Sequence, residues 1–83
     1  MIDIISLNKE AHILEISYNK LWKLLIDKKM SKADLRKTAE IAPNTMTKLR
    51  RDEIVSMNIL LKIAECLNCD IGDICEFIKN STK

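Results

Sequence analysis

The side chains best equipped for chemistry in this 83-residue chain are cations and short polar groups gathered in one stretch. Residues 28–51 hold eight bases (Lys28, Lys29, Lys32, Arg36, Lys37, Lys48, Arg50 and Arg51) against two acids, Asp34 and Glu40. The chain as a whole carries only +2, because residues 52–83 hold six acids against three bases. A basic block in a nearly neutral chain is the electrostatic footprint of phosphate contact, with an ordinary solvated face as the plainer alternative. Asn44, Thr45 and Thr47 are interleaved with these cations, and such groups can hydrogen-bond base edges or phosphates.

Other chemistry is poorly served. Catalysis needs convergent acids, bases or metal ligands. The sequence offers a single histidine, His12, and scattered carboxylates, so no enzyme and no small-molecule substrate are expected. Cys66, Cys69 and Cys75 include a C-x-x-C. A zinc site would need four ligands, and a redox dithiol normally follows a strand in a thioredoxin-like setting. Neither context is present, so the three are expected to be reduced, partly buried and small. Metal or redox sensing is the lesser alternative, and no metal or cofactor is expected.

The elements that position the basic stretch can be read from their ends. Ser31 with Asp34 three residues later forms a capping box, opening a helix. Leu35, Thr38 and Ala39 should face inward there, leaving Lys32, Arg36 and Lys37 outside. Pro43 suits the first position of a new helix, with Ala42 before it as the N-cap. Met46 and Leu49 share one face of that helix, and the polar remainder runs to Arg51. Two short helices joined by a tight turn, basic on the outside, make a helix-turn-helix.

The flanking segments repeat this logic. A first helix is expected from Ser17 to about Lys29, with Leu21, Trp22, Leu24 and Leu25 packing. Arg51 to Val55 reads as a loop anchored by Ile54 and Val55. A fourth helix should run from Ser56 to about Leu67, with Leu60, Ile63, Ala64 and Leu67 inside and Asn68 as its stop. Asp70, with Asp73 as capping partner, should open a fifth helix whose inner residues are Ile71, Ile74, Cys75 and Ile78. Each of the five starts pairs an apolar residue before the cap with another four positions in: Ile16–Leu21, Met30–Leu35, Ile41–Met46, Val55–Leu60 and Cys69–Ile74. This is the spacing of a hydrophobic staple.

Residues 1–16 form an N-terminal arm, in which Ile2, Ile4, Ile5 and Leu7 suggest extended chain and residues 11–16 suit helix or strand. The arm is expected to pack on its own domain or on a second copy. Residues 79–83 should fray. One Gly and one Pro favour helices over strands. No apolar run approaches the roughly 20 residues of a membrane span, and the start lacks signal-peptide features, so a cytoplasmic protein with no membrane partner is expected.

Residues 17–78 resemble the Cro/C1-type (Xre-family) helix-turn-helix domain, nearest to small stand-alone bacterial and phage regulators that end like the LNCDIGDI run at Leu67 to Ile74. The resemblance implies an all-α, compact, five-helix lambda-repressor-like domain whose second and third helices read DNA. Leu35, Ile41, Met46 and Leu49 match its buried positions. Lys32 matches a position at the start of the second helix that often reaches the backbone or a base. Pro43, Asn44, Thr45, Thr47 and Lys48 match the exposed start and outer face of the recognition helix. Two positions depart from the family pattern. Glu40 stands where a turn glycine is usual, at a cost of roughly 1 kcal/mol, and Arg36 stands where a small residue is usual.

The expectation is therefore a sequence-specific regulator that binds double-stranded DNA as a homodimer on a palindromic operator. Half-sites would lie about 34 Å apart. Pro43, Asn44, Thr45, Thr47 and Lys48 are the candidates for base reading, with Asn44 suited to adenine and Lys48 to guanine or phosphate. Ser31, Lys32, Arg50 and Arg51 are the candidates for phosphate contact. No ligand-sensing domain is expected in a chain of this length. The alternative is a protein-interaction module on the same fold, antitoxin-like or adaptor, with the apolar arm as its contact.

Overall fold

Three side-chain caps fix where the chain turns. The Asp34 N–H donates to Ser31 Oγ and the Ser31 N–H donates to Asp34 Oδ2, both at 3.0 Å. Ser56 Oγ accepts from the Ile59 N–H at 3.3 Å. The Asp70 carboxylate accepts from the Ile71 N–H at 2.7 Å, while the Asp70 N–H donates to Asp73 at 3.1 Å. Each bond satisfies a backbone donor that a helical turn leaves without an internal partner.

The computed structural model describes residues 14–79. Readings for residues 1–13 and 80–83, including most of the arm and tail, lie outside the described residues. In chain order come β1 (Leu14–Ser17), α1 (Asn19–Asp27), α2 (Lys32–Thr38), α3 (Pro43–Arg50) and α4 (Met57–Leu67). A 3-10 turn (Ile71–Asp73) and β2 (Glu76–Lys79) follow. The strands pair antiparallel, Leu14 opposite Lys79 and Ser17 opposite Glu76.

The expected five helices are four. Asp70 and Asp73 do form their capping pair, but it closes a single 3-10 turn. Gly72 weakens helix continuation, and the β-branched and aromatic residues beyond it suit a strand, for which β1 supplies a partner. Ile74 is fully buried there, while Ile71 and Ile78 stay exposed. Ser17 is also not a cap. It ends β1 buried, and Tyr18 precedes α1 with no side-chain cap. Thr38 is exposed rather than inward. Ile54, expected to anchor its loop, is 76% exposed, and Val55 alone packs against the core.

The core itself follows the apolar spacing. Tyr18, Leu21, Leu35, Met46, Leu49, Ile63 and Ile74 are fully enclosed. Leu21, Leu35, Met46, Leu60 and Ile74, the inner members of the five staples, are all buried, and their partners are buried or pack against them. Lys20 fastens α1 to the chain end, donating to the Gly72 carbonyl at 3.0 Å and lying 3.8 Å from Glu76.

All four helices stop in the same way. Lys29, Glu40, Asp52 and Asn68 adopt left-handed φ values of 57°, 56°, 57° and 55°. The next residue's N–H then reaches back five positions, as in Met30 to Leu25 at 2.9 Å and Ile41 to Arg36 at 2.9 Å. Glu53 to Lys48 at 2.9 Å and Cys69 to Ala64 at 3.0 Å do the same. This is the Schellman closure, which usually takes glycine. The chain's one glycine, Gly72, is used at none of these positions. Glu40→Gly should therefore raise unfolding stability by about 1 kcal/mol, through relief of left-handed strain. Urea unfolding tests this, and an unchanged or lowered midpoint would show that Glu40 is not strained.

Candidate nucleic-acid interface

The angle between α2 and α3 is set by the turn that joins them. Its left-handed hinge is Glu40, flanked by buried Ala39 and Ile41. Lys62 on α4 donates to the Glu40 carbonyl at 3.5 Å. Leu35 points inward from α2, and Met46 and Leu49 do so from α3. These anchors leave a defined outer face on α3.

That face carries the expected reading residues. Pro43 stands at the first position of α3, after extended Ala42, and no side chain caps this end. Pro43, Asn44, Lys48 and Arg50 are exposed, while Thr45 and Thr47 are half-buried. Among the described residues, Asn44 and Lys48 make no side-chain hydrogen bond or ion pair. Thr47 is different. Its hydroxyl donates to the Pro43 carbonyl at 3.1 Å and accepts from Arg50 Nη2 at 3.2 Å. Both of its hydrogen-bonding roles are used within α3, and Arg50 is held in return.

At the start of α2, Ser31 and Lys32 are exposed. The Lys32 ammonium sits 4.3 Å from the centre of the Trp22 ring. A cation over an indole face gains roughly 0.5–1 kcal/mol at an exposed site. Trp22, half-buried against the core, therefore works as a prop for Lys32. The Asp34 carboxyl is held below the ordinary aspartate range, chiefly by the hydrogen bond from the Ser31 backbone N–H and then by the Ser31 hydroxyl. Arg51 departs from the group. It follows α3 as its C-terminal cap, and its guanidinium lies 3.9 Å from Glu53, bordering an apolar cleft.

The sequence reading assigned no role to Tyr18. It is fully buried, its N–H donates to Asp52 Oδ1 at 3.1 Å, and its hydroxyl donates to the Glu53 carbonyl at 2.8 Å. Both acceptors lie directly after α3. Tyr18 thus fixes where α3 ends. The available signal was its helical spacing with Leu21 and Leu25, together with the need of a buried phenol for a partner. Burial is the main cause that raises its pKa above the ordinary tyrosine value, with smaller contributions from Cys75 and Asp52.

The cysteines behave as expected of small core residues. All three are free and half-buried. Burial pushes the thiols of Cys69 and Cys75 up, away from the thiolate that binds metals or attacks disulfides. Among the described residues, no group of three or more His, Cys, Asp or Glu is placed to hold a metal ion, and no helix is long and apolar enough to cross a membrane.

Residues 20–80 match the family model of the Cro/C1-type HTH DNA-binding domain. Among solved structures, the chain is similar to the transcriptional regulator VanUg, crystal form II, with a TM-score of 0.81 and 46% identity. That match covers 88% of this chain and 97% of the other. No curated protein matches significantly.

Tyr18→Phe should cost about 1 kcal/mol, because the part-buried hydrogen bond to the Glu53 carbonyl is lost. It should also change the alkaline limb of stability. The folded phenol keeps its proton to higher pH than the unfolded one. Its contribution is therefore complete below the ordinary tyrosine range and is lost as pH rises through the raised folded value. Urea unfolding across alkaline pH, with tyrosinate absorbance from this single tyrosine, should show that loss in the wild type and a flatter limb in Tyr18→Phe. Folded protein that ionises at the ordinary tyrosine pH would contradict it.

Proposed function

The chain belongs to the Cro/C1-type helix-turn-helix DNA-binding family, and we propose that two copies bind a two-fold-related operator with α3 of each in the major groove. It is a sequence-specific DNA-binding transcriptional regulator and not an enzyme. Its place of action in this reading is the cytoplasm, with the DNA. The observation that carries the mechanism is the outer face of α3, whose Asn44 and Lys48 are exposed and, among the described residues, have no competing side-chain partner.

Asn44 reads adenine through paired donor and acceptor contacts, and Lys48 reads guanine or holds phosphate. Thr45 and the Pro43 ring meet base edges or methyl groups at the helix start. Thr47, with its hydroxyl engaged by Pro43 and Arg50, contributes mainly by aiming Arg50. Arg50 and the Trp22-propped Lys32 grip phosphate and set register without specifying sequence. Ser31, exposed at the start of α2, offers its hydroxyl to phosphate. Arg51, loosely paired with Glu53, is the weakest of the phosphate candidates.

A salt titration of binding to random duplex DNA tests the electrostatic part. Each phosphate contact contributes about 0.9 to the log–log salt slope, so Lys48→Ala/Arg50→Ala should bind more weakly and show a slope shallower by about two. Weak binding that the double variant leaves unchanged would sink the α3 face as the DNA contact. For readout, Asn44→Ala should lose about 1–3 kcal/mol at one base pair of a selected operator. An equal loss on every sequence would make Asn44 a phosphate or packing residue instead.

A further inference from the structure

A shallow cleft of about 700 Å³ lies between β1 and the loop that follows α3. Leu14, Glu15 and Ile16 of β1 line it, with Phe77 of β2 and residues 51–54 of the loop. Three consecutive strand residues include side chains from both faces, so the cleft lies against the edge of β1. Leu14 and Ile16 share one face, and Phe77 stands opposite Ile16 on the same face. Leu14, Ile54 and Phe77 are 58%, 76% and 71% exposed. On its other side β1 pairs with β2. Among the described residues, the backbone groups of Leu14, Glu15 and Ile16 that point away from β2 have no hydrogen-bond partner. A free edge beside uncovered apolar side chains is a template for a further strand.

We infer that residues 2–7 of this same chain supply that strand, folding back along β1 to cover the cleft. The segment precedes β1 closely in sequence, so the loop to be closed is short and its entropic cost small. In an antiparallel hairpin the loop sets the register. A loop of Asn8, Lys9 and Glu10 brings Ile4 beside Leu14 and Ile2 beside Ile16. A register one residue away in either direction would put Asp3 beside Leu14 or Ile16 instead, a carboxylate on the apolar face. In the favoured register Ile2 and Ile4 join Leu14, Ile16 and Phe77 on the face that lines the cleft. Asp3 then falls on the opposite face, across from exposed Glu15. Like charges directly opposite weaken a strand pair, and this single mismatch makes the register open to test. The family match begins at residue 20, so the segment is outside the family pattern. The inference does not depend on the operator reading.

Nuclear Overhauser contacts and amide hydrogen exchange in the full chain test this. The expected result is contacts from Ile4 to Leu14 and from Ile2 to Ile16 and Phe77, with slowed exchange of the β1 amides that β2 leaves unpaired. Ile4→Ser should lose both signals while the contacts of Tyr18 with the end of α3 persist. Asp3→Lys and Glu15→Lys should each slow the exchange further, because unlike charges then face each other. The two substitutions together should return it to the wild-type rate or faster. That reversal requires the stated register, and general apolar adhesion would not produce it. Absence of contacts between residues 2–7 and the cleft, or charge swaps without effect, overturns the inference. In a mixture of labelled and unlabelled copies, contacts found only between copies would make a second molecule the occupant and overturn the assignment to the same chain. If Ile4→Ser unfolds the chain, the wild-type contacts and the charge swaps still decide. Binding to random duplex DNA tests the α3 face separately, and neither result bears on the other.

Discussion

Tyr18 joins the start of the helical core to the end of α3 through two hydrogen bonds, from its N–H to Asp52 and from its hydroxyl to the Glu53 carbonyl. Much of the geometry depends on this. Asp52 is the left-handed residue that terminates α3, and Glu53 is the residue whose N–H closes the last turn onto Lys48. The same two residues therefore end the helix by backbone bonds and tie it to β1 and α1 by side-chain bonds. Part-buried polar contacts of this kind are stabilising only when every member is satisfied. Among the described residues, no buried side-chain nitrogen or oxygen lacks a partner.

The other end of α3 is held by packing and by the turn. Glu40 adopts the left-handed conformation, Ile41 and Met46 go into the core, and Lys62 caps the turn from α4. α3 is therefore fixed at both ends by neighbours that do not touch its outer face. Such an arrangement lets side chains on that face be chosen for recognition with little cost to stability, because surface substitutions away from caps and core change stability by at most about 0.5 kcal/mol.

Much of this was legible from residue types. Ser31 and Asp34 announce their capping box, Pro43 announces a helix start, and Met46 and Leu49 give the buried side of α3. The family resemblance located the turn at Glu40 and its conformational cost, and the observed φ of 56° agrees. Two things were not legible. The segment after Asp70 carries a helical cap, and its apolar spacing fits a helix as well as a strand. Only the pairing with β1, some sixty residues away in sequence, settles it as a turn followed by a strand. Tyr18 was hidden for a related reason, since its partners Asp52 and Glu53 are distant in sequence and look like solvated acids. Thr47 and Arg50 show a smaller version of the same limit. Both belong to a polar face by spacing, but the hydrogen bond that couples them depends on rotamers.

In the proposed function, DNA meets the outer face of α3 and the start of α2, and the apolar cleft beyond α3 stays apart from it. An amide NMR map of the chain titrated with short duplex DNA tests that division most directly. The expected result is shifts concentrated at Ser31 and Lys32 and along Pro43–Arg50, with Leu14, Met57, Leu61 and Phe77 unaffected. Shifts centred on β1, β2 and the start of α4, with α3 silent, would contradict it.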